Sequence, residues 1–458
     1  MSTTRRVIAL VAASAVIGTF SGAAQEATPG RPATVHLKAY IEAFNSGSPE
    51  TMRAFFQAHY AESALRETPV EERVARFPAV KSRLQSIRLE KVAAEQPSRT
   101  FALARAGNGE AFLLRASVEK TPPYKLLFIF FEAVDDPENL VIPEPKANDQ
   151  GLVSAVRTYL EGETRADQFS GVVLIAKDSR VLFHEAFGNA DREKKLPNRK
   201  DTRFNLGSIN KSFTRAAIHQ LEKQGKLSLD DPIKKHLPDY PNRAAAEKVT
   251  IRHLLNMTSG IGDFFGSRYD ATPKEKIRTL QDYLPLFADL PLEFEPGTSN
   301  RYSNGGYIVL GLIIEKASGV DYYAYVREQI FKPCGMLDTD SFARDAGVPN
   351  VALGYTREGR SDGARVINHA TLPGRGSSAG GGYSTAEDML KYVMALKAGT
   401  IFLPDIASGL GIAGGAPGIN SAVEWDRRSG YVVIVLTNFD PPTAGQTARR
   451  IRSWLPER

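Results

Sequence analysis

Cysteine is almost missing from this chain of 458 residues: Cys334 stands alone, so no disulfide can form within it. The fold must therefore rest on buried apolar surface, which a chain of this length can supply. A cysteine nucleophile is also poorly served, because Phe331-Lys332-Pro333-Cys334-Gly335 reads as a helix end entering a turn. Long hydrophobic runs are lacking after the first twenty residues, so no membrane span is expected in the mature protein. Charge of one sign is not in large excess, with 58 Lys and Arg against 52 Asp and Glu and a net charge of +6. No basic run is dense enough, or interleaved with aromatics, to read as a nucleic-acid footprint. The seven histidines are scattered without metal-ligand spacing, and no phosphate loop or dinucleotide fingerprint follows a strand. Neither a metal nor a cofactor is expected.

What is present begins with an export signal. Arg5 and Arg6 precede an apolar run from Val7 to Phe20, and Ser21-Gly22-Ala23-Ala24 offers a small-residue cleavage site. Residues 1–24 read as a signal peptide, with no Cys near the cut for a lipid anchor, so a periplasmic or secreted location is expected. Residues 25–33 read as a polar linker. Residues 34–142 read as an N-terminal α+β domain: two helices, one carrying Val35, Tyr40, Ile41 and Phe44 and one carrying Met52, Phe55 and Phe56, then strands near 86–92, 100–106, 111–118 and 125–132. That order of elements resembles the nuclear-transport-factor-2-like fold and suggests a binding or docking role. A Pro-rich linker, 143–150, leads into a domain spanning 151–458. Its first and last thirds carry hairpins, 171–176 with 181–186 and 419–426 with 431–438, with helices and loops between. Strands so far apart in the chain imply an antiparallel sheet closed by distant pieces, flanked by helices.

Ser208-Ile209-Asn210-Lys211 lies where the loop Phe204–Gly207 enters an amphipathic helix bearing Phe213, Ala216, Ala217, Ile218 and Leu221. Residues three apart share a helix face, so the Lys211 amine can reach the Ser208 hydroxyl. A helix start presents unpaired N–H groups that suit a developing oxyanion, and burial favours the neutral amine that could accept a serine proton. Ser117-Val118-Glu119-Lys120 repeats the pattern, but in a strand-like run where residues three apart diverge. Gly376-Ser377-Ser378-Ala379-Gly380 matches a nucleophile elbow yet follows no strand, and no His comes after His369 to complete a triad. The surrounding Gly374–Gly382 reads as a mobile loop. Tyr302-Ser303-Asn304 precedes an apolar helix and supplies a phenol able to relay protons and an amide able to hold a carbonyl. Tyr240-Pro241-Asn242 has the same pattern inside a turn with no such helix after it.

Ser208-Ile209-Asn210-Lys211, Tyr302-Ser303-Asn304, Leu254-Leu255-Asn256-Met257-Thr258-Ser259-Gly260 and Gly381-Gly382-Tyr383-Ser384-Thr385-Ala386-Glu387-Asp388 occur in an order that resembles the serine β-lactamase-like, penicillin-recognising hydrolases. The resemblance runs from about residue 150 to the C-terminus and is nearest the branch of larger β-lactamases, esterases and D-amino peptidases. It implies the β-lactamase-like fold, with a helical insert beside the sheet, and an acyl-enzyme mechanism on a small-molecule or peptide-like acyl substrate. Carried over, Ser208 is the nucleophile, Lys211 its base, Tyr302 the proton relay and Asn304 a donor to the substrate carbonyl. Gly414 and Gly415 match the glycines of the third motif, with the Gly415 N–H as partner of the Ser208 N–H in an oxyanion hole. Ile412 stands where the family carries Lys or His, which removes an anchor for a substrate carboxylate and points to a neutral ester or amide. The stretch 399–411 is short for the family, so part of the sheet or pocket wall is expected to be missing. A catalytically weak binding protein with a degenerate third motif is the competing expectation; oligomeric state is left open.

Overall fold

The structure, a computed structural model, describes residues 31–134, 137, 146, 148–404 and 406–456. The expected signal peptide and the linker residues 25–30 lie outside the described residues. The chain divides into two units, Met1–Ile142 and Pro143–Arg458.

In the first unit, helices α1 (Pro32–Ser46), α2 (Pro49–His59), α3 (Glu62–Glu67) and α4 (Val70–Leu84) precede an antiparallel meander of β1 (Ile87–Gln96), β2 (Arg99–Ala106), β3 (Ala111–Val118) and β4 (Leu126–Ala133). Ser48 caps α2 by accepting from the Thr51 N–H, with Pro49 at the first helical position where a missing N–H costs nothing. Leu37, Phe44, Met52 and Phe77 from the helices bury against Ala102, Leu114, Ala116 and Val118 on one face of the sheet. Two expectations change here. Helix α1 already covers residues 32 and 33, and Val35 is largely exposed while Leu37 is buried. Four helices stand where two are expected: α3 is a short six-residue helix, and Pro78 interrupts the charged, weakly apolar run of α4. Ser117 sits buried in β3 opposite Phe128, as its strand pattern implies.

In the second unit the elements that position the site are α5 (Asp149–Arg165), β5 (Gly171–Lys177), β6 (Arg180–Phe187), α6 (Asn210–Lys223), α7 (Asn304–Ser318), α8 (Ala386–Ala398), β7 (Gly409–Ala416), β8 (Ile419–Asp426), β9 (Tyr431–Thr437) and α9 (Thr443–Trp454). The strands form one antiparallel sheet in the order β7-β8-β9-β5-β6, so the two hairpins meet where β9 pairs with β5. Alternation within β5 sends side chains to two cores. Val172 and Leu174 join Phe213, Leu221, Leu310, Ile313 and Met389 from α6, α7 and α8. Val173 and Ile175 join Leu152, Val156 and Leu160 of α5 and Ala448 and Ile451 of α9. Burial on both faces explains the unbroken apolar runs of β5 and β9; each fully buried aliphatic side chain contributes roughly 1.5–3 kcal/mol. Edge strand β7 pairs with β8 through its whole length, Gly409 opposite Asp426 to Ala416 opposite Ile419. The end of the short stretch is therefore a fully paired edge strand along 409–416.

Candidate active site

Ser208 occupies a single 3₁₀ turn, Gly207–Ile209, that runs straight into α6. The turn is held from both sides. Leu206 donates its N–H to the Gly382 carbonyl at 2.7 Å, and its own carbonyl accepts from the Ser421 hydroxyl of β8 at 2.7 Å. Gly207 has a positive φ of 53°, and a Cβ there would approach the Gly415 nitrogen to 2.8 Å. Gly414 is tighter still. A Cβ on it would overlap the Leu206 carbonyl oxygen and come within 2.8 Å of the Ser208 nitrogen. Gly207 in the turn and Gly414 in β7 are thus what allow the edge strand to lie against the start of the Ser208 helix.

Two side chains reach Ser208 Oγ. The Tyr302 hydroxyl donates to Ser208 Oγ at 2.6 Å, and Lys211 Nζ lies 3.4 Å from the same oxygen. Lys211 is buried, and its amine also donates to Asn304 Oδ1 at 2.7 Å and to the Ala379 carbonyl at 2.5 Å. Burial lowers its pKa from 10.5 to about 7, partly opposed by the negative charge of Asp263. The rings of Tyr302 and Tyr307, 4.7 and 5.4 Å away, also face the amine. Tyr302, about half exposed at the mouth of the site, has its own pKa raised, first by desolvation. Asn304 opens α7 behind Ser303, whose hydroxyl accepts from the Gly306 N–H at 2.9 Å and donates to the Gly262 carbonyl at 3.0 Å.

The decoys settle into structural duties. Asn242 caps a short helix through the Ala245 N–H, and Tyr240 is buried. Ser378 is buried and donates to the Tyr307 carbonyl at 2.7 Å. The glycine-rich stretch around it, read from sequence as mobile, is packed: Ser377, Ser378 and Ala379 are buried, and the Ser378 and Ala379 carbonyls accept from Thr214 and Lys211. Ile412 is half-buried against the larger core and does not line the cavity, because strand alternation puts it on the face of Leu410 and Gly414.

The cavity over Ser208 measures about 670 Å³. Tyr302, Asn304 and Gly415 line it with Ser208, and Phe264, Phe265, Tyr269, Tyr283, Phe342 and Tyr383 form an aromatic wall. Its cations brace backbone. Lys274 Nζ donates to the carbonyls of Tyr269 and Thr272 at 2.5 and 2.8 Å, and Arg344 Nη1 to those of His369 and Leu372 at 2.6 and 2.7 Å. Arg375 donates to the Ser341 carbonyl and stacks over the Tyr323 ring. Among the described residues no cluster of three or more His, Cys, Asp or Glu is placed to hold a metal ion, and no helix is long and apolar enough to cross a membrane.

A Ser-x-x-Lys on a helix start and a Tyr-x-Asn facing it both fall within residues 156–410, which match the model of the beta-lactamase family, and the glycine-bearing edge strand closes the third side at the end of that match. The chain belongs to the beta-lactamase family. Penicillin-binding protein 4* of Bacillus subtilis (strain 168) is 36% identical over 212 residues, 45% of this chain and 46% of that protein. The chain therefore spans just under half the length of that relative. Esterase EstB of Burkholderia gladioli is 32% identical over 266 residues, covering 51% of this chain and 67% of the esterase. Among solved structures, the penicillin-binding protein from Bacillus halodurans superposes with a TM-score of 0.57 at 32% identity, over 64% of this chain and 98% of that one. Two features of this beta-lactamase-family site escaped the sequence reading. The Ala379 carbonyl is one. Asp263 is the other: its Oδ2 accepts from Asn304 Nδ2 at 2.7 Å. An acid directly before Phe264-Phe265, three residues beyond the signpost ending at Gly260, was the available signal.

Proposed function

We propose that this chain is an exported serine hydrolase that cleaves neutral esters or amides through a Ser208 acyl-enzyme. The observation that carries the reading is the seat of Ser208 Oγ, 2.6 Å from the Tyr302 hydroxyl and 3.4 Å from a Lys211 amine whose pKa burial lowers to about 7. A neutral Lys211 accepts the Ser208 proton, directly or through Tyr302, as Oγ bonds to the acyl carbon. The carbonyl electron pair moves onto oxygen, facing the N–H groups of Ser208 and Gly415. Collapse expels the alkoxide or amine, which takes the proton back through Tyr302. Water then attacks the acyl carbon with the same groups acting in reverse, and Ser208 is released.

The substrate class follows from charge. The cavity's Lys274, Arg344 and Arg375 direct donors to backbone carbonyls, and Ile412, on the core side of β7, adds no cation to the lining. The aromatic wall suits an apolar acyl group, and the likeness to an esterase supports the same class. Export rests on the composition of residues 5–24; N-terminal sequencing of the protein recovered from a producing cell's periplasm or medium would be expected to start at residue 24 or 25. A separate N-terminal domain with a docking role rests on its own core of helices against a meander, and limited proteolysis should cut between 134 and 148 and leave both pieces resistant.

The test offers the purified protein a fluorophosphonate probe, nitrocefin and short nitrophenyl esters beside Ser208→Ala. Labelling and ester turnover in the parent, both lost in Ser208→Ala, are expected. Labelling or turnover that survives in the variant refutes the nucleophile assignment. Labelling without turnover would favour a binding protein that kept the pocket.

A further inference from the structure

We propose that Asp263 is a positioning residue for the base: it fixes which end of the Asn304 amide faces Lys211 and thereby sets the amine's hydrogen bonding and charge. The inference rests on the reading of Ser208 and Lys211 given above. Its basis is a linear chain of contacts. Asp263 Oδ1 accepts from the Phe265 N–H at 3.1 Å, which holds the carboxylate within its own loop. Asp263 Oδ2 accepts from Asn304 Nδ2 at 2.7 Å, Asn304 Oδ1 accepts from Lys211 Nζ at 2.7 Å, and Lys211 Nζ lies 3.4 Å from Ser208 Oγ. The loop is tied to the same helix start by the Ser303 hydroxyl on the Gly262 carbonyl, so Asp263 and Asn304 move together.

The chemistry follows from donors and acceptors. A carboxylate accepts only, so it demands the NH₂ end of the Asn304 amide. The oxygen end is thereby forced toward Lys211, where it stays whether the amine is neutral or charged, since both forms donate. A flipped amide would aim N–H groups at the amine, repel its cation and take away one of its acceptors, leaving the Ala379 carbonyl and Ser208 Oγ. Asp263 also acts at longer range as a negative charge that opposes the burial of Lys211. The other groups facing the amine are the Tyr302 and Tyr307 rings, with Arg215 further along α6 acting on Tyr307. Asp263 is the carboxylate among them.

The experiment compares the parent with Asp263→Asn and Asp263→Ala by the pH dependence of fluorophosphonate labelling and of kcat/KM for a nitrophenyl ester, from pH 5 to 9. Because Lys211 must be neutral to accept a proton, the parent rate should rise through an acidic limb near pH 7. In Asp263→Asn the side-chain oxygen can still accept from Asn304, so the plateau should stay within about tenfold. With the charge gone, the limb should move to lower pH by about one unit. In Asp263→Ala the Asn304 amide loses its anchor, and the plateau should fall by a further tenfold or more. An unmoved limb in Asp263→Asn, with a near-ultraviolet circular dichroism spectrum like the parent's, overturns the inference. If Asp263→Ala does not fold, the Asp263→Asn profile decides alone. Ser208→Ala in the same assay separates the two readings: its labelling at the parent rate would fault the nucleophile assignment, whereas its silence beside an unmoved limb faults only Asp263.

Discussion

Replacing Lys211 by Met should change how the stability of the second unit depends on pH, by an amount the structure sets. In the unfolded chain the amine titrates at its ordinary 10.5; folded, burial brings it to about 7. Between those values the unfolded state binds more protons, so stability rises with pH across that window. At 1.36 kcal/mol per unit, the ionisation cost borne by the fold is about 4 kcal/mol at pH 7 and about 2 kcal/mol at pH 9. The parent should therefore gain about 2 kcal/mol between pH 7 and 9 relative to Lys211→Met. The variant also loses the contacts to Asn304 and the Ala379 carbonyl. Those losses do not depend on pH in this range and cancel from the slope, as do groups titrating alike in both proteins. Tyr302, with its pKa raised, stays protonated throughout. The assay is urea unfolding followed by tryptophan fluorescence, which reports this unit selectively because Trp425 and Trp454, the two tryptophans of the chain, both belong to it. With an m-value of about 3 kcal/mol/M, the midpoint difference should grow by about 0.7 M on going from pH 7 to 9. Parallel midpoints at the two pH values would refute a buried, neutralised Lys211, and with it the base assignment.

Tyr302→Phe removes the hydroxyl 2.6 Å from Ser208 Oγ and should lower kcat by about 10²–10⁴-fold with little change in KM, as stopped-flow ester hydrolysis would show. Because Tyr302 is half exposed, its melting temperature should stay close to the parent's. Gly414→Ala drives a methyl group into the Leu206 carbonyl and against the Ser208 nitrogen, so labelling and thermal stability should both drop, whereas Gly411→Ala, with nothing near its Cβ position, should leave both unchanged.

How much of this was legible in the sequence divides along range. Ser208 and Lys211 are three apart on one helix turn, so their approach follows from local geometry alone. The double-sided burial of β5 and β9 was likewise written in two apolar runs. Contacts that close over long separations were not legible: Ala379 meets Lys211 from 168 residues away, and Asp263 meets Asn304 from 41. Ile412 shows the limit in the other direction. Its place in the motif suggested a wall of the pocket, but a strand's two-residue period gives it to the core. The packed stretch 374–382 shows that many glycines can mark close approach of backbones as readily as mobility.

The two non-local contacts share a physical logic. The base role proposed for Lys211, with a pKa near 7, requires that the amine be stripped of water yet not handed a carboxylate, since direct pairing would stabilise the cation and return its pKa toward the ordinary value. Neutral acceptors solve half of that: the Ala379 carbonyl and the Asn304 oxygen satisfy the amine's donors without a formal charge. Orientation is the other half, because an amide can present either end. Placing the carboxylate one amide away, at Asp263, commits the Asn304 oxygen to the amine while keeping the negative charge out of contact. Under the roles proposed here, the residue that fixes the base's geometry is also the one that would spoil the base if it paired with Lys211 directly.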